Sequence, residues 1–166
     1  MEKAAIGIGS NLGDSVRTCL DAIEALRNGP AVSILKTSSF FRTRPVGFAG
    51  QNWFVNAAVL CETALEPQPL LDFLLELEKD FGRVRTVRWG PRTLDLDIIF
   101  FGSRQVDLPG LQIPHPRMHE RLFVLAPLAE VEPEWVHPAL GLSVDQMRDR
   151  LLETDHGQEI QKLDVS

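Results

Sequence analysis

The chain has 166 residues, 44% of them hydrophobic and 24% charged, with a formal net charge of −6. That length suits one domain over residues 1–166, with a core that needs neither disulfides nor a structural metal. The acidic balance excludes nonspecific nucleic-acid binding, which needs a basic surface.

The N-terminus, MEKAAIGIGSNLGD, meets an acid at its second residue and has no long apolar run, so no signal peptide is expected. No stretch approaches the roughly 18 apolar residues of a membrane span, so no membrane association is expected. Residues 3–9 read as a strand that opens on a Gly-Ser-Asn turn. Asp14 is a suitable N-cap for a helix over 15–28, where Val16, Cys19, Leu20, Ile23 and Leu26 share one face. Asn28-Gly29-Pro30 should stop that helix. Residues 32–42 and 53–64 read as strands, separated by TRPVGFAGQN, which is too long for a tight hairpin.

A second helix is predicted over 67–81, where Leu70, Phe73, Leu74, Leu77 and Phe81 recur at helical spacing and Gly82 is the stop. An arginine-rich loop leads into the strand LDLDIIFFG, and a short strand around 105–113 follows. A broken helical stretch is expected near 117–130, interrupted at Pro127. The last helix, over 144–153, carries Ser143 and Gln146 as a capping box. The order β-α-β-β-α-β is the ferredoxin-like arrangement, an α+β fold with an antiparallel sheet and helices on one face, here with a C-terminal helical extension. Cys19 and Cys61 each sit in an apolar pattern and read as buried free thiols, and no four-ligand zinc spacing exists. A reducing cytoplasm is the simplest setting for them.

The chemistry concentrates on a few segments. Asp95 and Asp97 stand two apart on a strand, so they share a face, roughly 6.5–7 Å apart along the chain. Leu94, Leu96 and Ile98 take the other face. Two such carboxylates repel unless a cation lies between them, and magnesium suits the pair. The pair alone also fits a solvated strand face. Arg83, Arg85, Arg88 and Arg92 lie between Gly82 and Leu94 with no acid among them, and guanidinium forks match phosphate oxygens. Carboxylates for magnesium beside arginines for phosphate are the equipment of phosphoryl transfer.

A second basic group follows in IPHPRMHERLF, with His115, Arg117, His119 and Arg121. Thr43, Phe54 and Asn56 flank the long loop; an aromatic two residues from an amide is also plain strand alternation. The run GIGSNLG (7–13) imitates a dinucleotide fingerprint, but the strand-helix-strand continuation of a parallel sheet does not follow. No Walker-A lysine follows the glycines either. Nicotinamide binding is set aside on these grounds.

The segments IGIGSNLGD, SSFFRTRPVG, WFVNAAV, GRVR, RWGPRTLDLDI and IPHPRMHERLFVLAPLAE, in this order and spacing, resemble the 6-hydroxymethyl-7,8-dihydropterin pyrophosphokinases of folate biosynthesis. RWGPRTLDLDI is the most specific of them. The resemblance implies an ATP-dependent diphosphokinase whose small-molecule substrates are ATP and the reduced pterin alcohol. It implies that Asp95 and Asp97 hold two magnesium ions on the ATP phosphates, with Asp97 also near the attacking hydroxymethyl group. Arg83 and Arg92 would bind phosphate and stabilise the group in transfer. Leu70, Glu78, Trp89, Arg92, His115 and Arg121 would surround the nucleotide and its phosphates. Thr43, Val46, Gly47, Phe54, Asn56 and Phe123 would form the pterin pocket, with the ring between Phe54 and Phe123 and its edge read by Asn56.

This chain has no tyrosine. Phe54 and Pro116 stand where some members of that family carry one, and Arg44 stands where proline is frequent. A monomer is expected. Two other readings stay open on the sequence: a magnesium-dependent nucleotide hydrolase that needs no pterin, and a non-catalytic ferredoxin-like binding domain.

Overall fold

The computed structural model describes residues 1–10, 15–43, 54–84, 94–155 and 157–164, with the side chains of Arg83 and Val84 excepted. The elements run β1 (Glu2–Ser10), α1 (Ser15–Asn28), β2 (Val32–Thr37), β3 (Phe41–Thr43), β4 (Phe54–Thr63), α2 (Pro67–Val84) and β5 (Asp95–Phe101). They continue with β6 (Val106–Leu108), β7 (Leu111–Ile113), a 3₁₀ turn at Met118–Glu120, α3 (Leu122–Val131), α4 (Val144–Thr154) and β8 (Ile160–Lys162). Among the described residues the main sheet has six strands, ordered β5-β1-β4-β3-β8 with β2 also on β4, and its described pairings are all antiparallel. This is the ferredoxin-like α+β arrangement, with a second pair of helices added.

The two faces of the sheet carry separate cores. Ala4, Ile6 and Ile8 alternate to one side, where they pack with Cys19, Ala22, Ile23 and Leu26 of α1 and Leu70, Leu74 and Leu77 of α2. Ala5, Ala58, Leu60, Ile99 and Phe100 face the other side, where Leu122, Leu125 and Leu128 of α3 and Val144, Met147 and Leu151 of α4 cover them. Helices therefore lie on both faces, not one. The C-terminal stretch needs that second face because α3 is apolar nearly all round, with six of its ten residues buried.

Other expectations shift in detail. The predicted strand 32–42 is two strands. The β2–β4 register slips between Ile34 and Lys36, and at residue 38 the Ser38 hydroxyl accepts from the Ala58 amide in place of a ladder bond. Residues 105–113 form a hairpin, β6–β7, whose turn holds Gly110 at φ 78°. The second helix runs past Gly82 to Val84, since nothing forces that glycine out of the helix. The break in the third helical stretch falls at Arg121, and Pro127 sits inside α3. Leu20 is exposed, and Thr18 and Ala22 are buried on the inner face of α1 instead. The strand β8 had no sequence signal. The capping box at Ser143 and Gln146 and the two buried thiols are as expected. Burial pushes both thiols up to about 12, so they are inert at neutral pH. Asp14 lies outside the described residues. No helix among the described residues is long and apolar enough to cross a membrane.

Candidate active site

Strand alternation builds the floor of the site. In the register of the sheet, Asp95 lies beside Gly9, which lies beside Asn56, which lies beside Phe41. One step along, Asp97 lies beside Gly7 and Gly7 beside Ala58. The two carboxylates on the edge strand are thus about 10 Å, two strand spacings, from the amide and methyl on β4. Between them run two glycines with no side chains, which leaves a trough. A further step along β4 adds Phe54, paired with Thr43 of β3.

These residues line a cavity of about 580 Å³. Its floor includes Gly7, Gly9, Thr43, Phe54, Asn56, Asp95 and Asp97. The start of α3 supplies Arg121 and Phe123 as a wall, and Asp155, Gln158, Glu159 and Ile160 of the C-terminal segment supply another. The volume and the mix of apolar body with a few polar groups suit a small organic ligand with room beside it for phosphates.

Several side chains are held in place. The Thr43 hydroxyl donates to Asn56 Oδ1 at 3.0 Å, which orients the amide over Gly9. The Arg121 guanidinium lies 5.6 Å from the centre of the Phe123 ring, close enough for a cation–π contact. Leu96, between the two aspartates, points its amide outward, and that amide donates to Glu78 Oε2 at 2.7 Å. A bulge in the β1–β5 pairing turns Ile99 and Phe100 toward the same core, and the freed Ile99 carbonyl accepts from the His115 amide at 3.1 Å. Burial lowers the pKa of His115; Asp97 pulls it up and Arg121 pushes it down, and the net shift is downward from the ordinary histidine value.

Thr43, Phe54, Asn56, Asp95, Asp97, Arg121 and Phe123 are therefore brought together as walls of one cavity. His115 is not a wall but is near enough to Asp97 and Arg121 to feel both charges. Glu78 stands behind the strand, bonded to its edge. Leu70 is fully buried in the core on the opposite face of the sheet, because helical spacing stacks it with Leu74 and Leu77. The side chain of Arg83, and residues Val46, Gly47, Arg85, Arg88, Trp89 and Arg92, lie outside the described part. His119 faces a second, shallower cleft beside His137.

The residues that sequence reasoning missed are Gly7 and Gly9 and the C-terminal wall. The glycines did carry a signal: two of them at period 2 on a strand that is otherwise apolar leave one face bare.

The donor set fits a hard divalent cation. Asp95 and Asp97 offer two carboxylates on one face, at the open end of the trough. Among the described residues no third His, Cys, Asp or Glu joins them to make a protein-only cage. Magnesium takes one or two carboxylates and completes its shell with phosphate oxygens and water.

The model of the 7,8-dihydro-6-hydroxymethylpterin-pyrophosphokinase family matches residues 5–133. The 2-amino-4-hydroxy-6-hydroxymethyldihydropteridine pyrophosphokinase of Bacillus subtilis is 43% identical over 154 residues, covering 93% of this chain and 92% of its own. The protein of the same name from Synechocystis is 41% identical over 148 residues, covering 89% of this chain and 75% of its own. In fold, the chain superposes on a crystal structure of HPPK-DHPS in complex with substrates, with a TM-score of 0.73 at 15% identity over 92% of this chain. The chain spans 44% of the length of that larger protein.

Proposed function

The chain belongs to the 7,8-dihydro-6-hydroxymethylpterin-pyrophosphokinase family, and we propose that the trough between Asp95/Asp97 and Asn56 is where its reaction takes place. The reaction is transfer of the diphosphoryl group of ATP to the hydroxymethyl group of hydroxymethyldihydropterin, in folate biosynthesis. The observation that carries the placement is the pair of side-chain-free positions, Gly7 and Gly9. They join two carboxylates to an amide-and-aromatic pocket on one continuous floor.

The pterin lies over Gly9 toward β4. Its ring packs against Phe54 and Phe123, and the Asn56 amide, oriented by Thr43, reads its hydrogen-bonding edge. Val46 and Gly47, outside the described residues, are assigned to the same pocket by the family resemblance. The triphosphate lies toward β5. Asp95 and Asp97 would hold two magnesium ions there, which would supply the positive charge that neutralises phosphate oxygens as they gain charge. Arg121 adds a guanidinium on the facing wall, and the family resemblance assigns Arg83, Trp89, Arg92 and His115 to the nucleotide and its phosphates, the Arg83 side chain and residues 89 and 92 lying outside the described part. The pterin hydroxyl oxygen bonds to the β-phosphorus of ATP, the bond from that phosphorus to the bridging oxygen of the α-phosphate breaks, and AMP leaves while the hydroxyl proton is lost. No side chain is acylated or phosphorylated, so the rate comes from alignment and charge stabilisation.

Residues 1–166 act as one domain in this reading, since β8 extends the sheet that β1 begins. We read the protein as a monomer, and the buried free thiols favour a cytoplasmic setting. The test is direct: protein, magnesium, ATP and the reduced pterin alcohol should give AMP and the pterin diphosphate. ATP breakdown at the same rate without the pterin would instead indicate a nucleotide hydrolase.

A further inference from the structure

We propose that Gln158, in the C-terminal segment beyond the residues matched by the family model, is a positioning residue that sets the pterin-facing wall of the site. The proposal rests on the pterin reading above. Its basis is a set of hydrogen bonds around the start of α3. Gln158 Oε1 accepts from the Leu122 amide at 2.8 Å, and Gln158 Nε2 donates to the Glu120 carbonyl at 3.0 Å. One side chain thus grips the backbone on both sides of Arg121 and immediately before Phe123. Arg121 is the N-cap of α3 and its side chain makes no capping bond, so Gln158 supplies an acceptor that the helix start lacks locally.

The grip is itself anchored. Gln158 Nε2 also donates to Asp155 Oδ2 at 2.8 Å, and Asp155 is the C-cap of α4. Two residues further on, Ile160 pairs with Thr43 in the β3–β8 ladder, so the same short segment holds both the Phe123 wall and the strand that carries Thr43. The segment therefore fixes the width of the pterin end of the cavity. Gln158 should therefore affect pterin binding most, through the Phe123 wall and Thr43, with a much smaller effect on magnesium-nucleotide binding through Arg121.

The experiment compares wild type with Gln158→Ala and Gln158→Glu. The dissociation constant of the pterin alcohol, that of a magnesium complex of a non-hydrolysable ATP analogue, and the melting temperature are each measured. Alanine removes both ends of the grip. Glutamate keeps an acceptor for the Leu122 amide but loses the donors and places a carboxylate against Glu120 and Asp155. Both variants should weaken pterin binding by about tenfold, the scale of one lost anchoring hydrogen bond. Nucleotide affinity should stay within about twofold of wild type on the same scale. Pterin affinity within that same margin in the alanine variant overturns the proposal. So does an equal loss for both ligands, which would mark Gln158 as merely structural. So does a wild-type glutamate variant. Wild-type protein that binds neither pterin nor releases AMP would overturn the functional reading instead.

Discussion

Gly9 lies directly opposite Asn56 in the β1–β4 ladder, and a Cβ added at residue 9 would stand 3.1 Å from the Asn56 amide nitrogen. That amide is already tied by its oxygen to the Thr43 hydroxyl. It cannot swing away without breaking that bond. Gly9→Ala should therefore weaken pterin binding by about tenfold, the scale of one lost hydrogen bond, and lower stability by about 1 kcal/mol for the broken Thr43–Asn56 bond. Gly7→Ala is the control. Its Cβ would meet the Ile99 side-chain end at 3.2 Å, and that flexible terminus can give way. Titration of pterin fluorescence against both variants checks the contrast; equal affinities would show that Asn56 is not held as described.

Removing either carboxylate should abolish most turnover. Asp95→Ala and Asp97→Ala should each lower the rate of AMP formation by on the order of 10³-fold or more, because bound metal neutralises charge in the transition state. The fold should survive, since Leu96 and Ile98 and not the aspartates face the core. Circular dichroism checks the fold and an AMP assay the rate. Turnover within tenfold of wild type in either variant would remove these residues from the site.

Glu78 tests a different kind of contribution. Its carboxylate accepts from the Leu96 amide on the outer edge of β5. Glu78→Ala would leave that half-buried amide unpaired, at a cost of about 1–3 kcal/mol. Glu78→Gln keeps an acceptor without the charge and should lose less. Urea unfolding at pH 7 measures both. Because Leu96 sits between Asp95 and Asp97, the alanine variant should also need more magnesium for half-maximal rate.

The pH dependence of stability should be governed first by buried imidazoles. His137 is buried, and its Nδ1 accepts from the amides of both Ala139 and Leu140 at 3.1 Å, which requires that nitrogen to be unprotonated. Burial, and then the nearby His119, lower its pKa below the ordinary 6.5. The unfolded chain therefore binds a proton more readily than the folded one. Stability is full above about pH 6.5 and falls as the pH drops below it. His115, also lowered, adds a contribution of the same sign. Glu130 acts lower down. Burial would raise its carboxyl, but the Ser39 amide and Lys162 outweigh that and hold it below 4.5, so its contribution is lost only in stronger acid. Melting temperatures between pH 7.5 and 5 should fall in wild type, with a visibly shallower slope in His137→Asn. An unchanged slope would show that this imidazole is not held neutral.

Most of the element order was legible in the sequence because it depends on local periodicity. The spacing of Leu70, Leu74 and Leu77 marks a helix and the alternation of Leu94, Leu96 and Ile98 marks a strand, whatever lies around them. The pairing of Asp95 with Asp97 on one face needs nothing more than the pleat, and the capping box at Ser143 and Gln146 is a four-residue pattern. The motif RWGPRTLDLDI carried the family, although most of it lies outside the described residues. What the sequence could not determine is lateral order. Which strand lies beside which depends on burial summed over the whole sheet, so the row Asp95, Gly9, Asn56 joins residues far apart in the chain. The same holds for the C-terminal segment. Ile160 reaches Thr43, and Gln158 reaches Leu122, only because α3 and α4 find the second face of the sheet. Gly7 and Gly9 resembled a nucleotide loop in sequence. They became the floor of a trough only once β4 and β5 took places on either side of them, because an absent side chain has no meaning until something stands where it would have been.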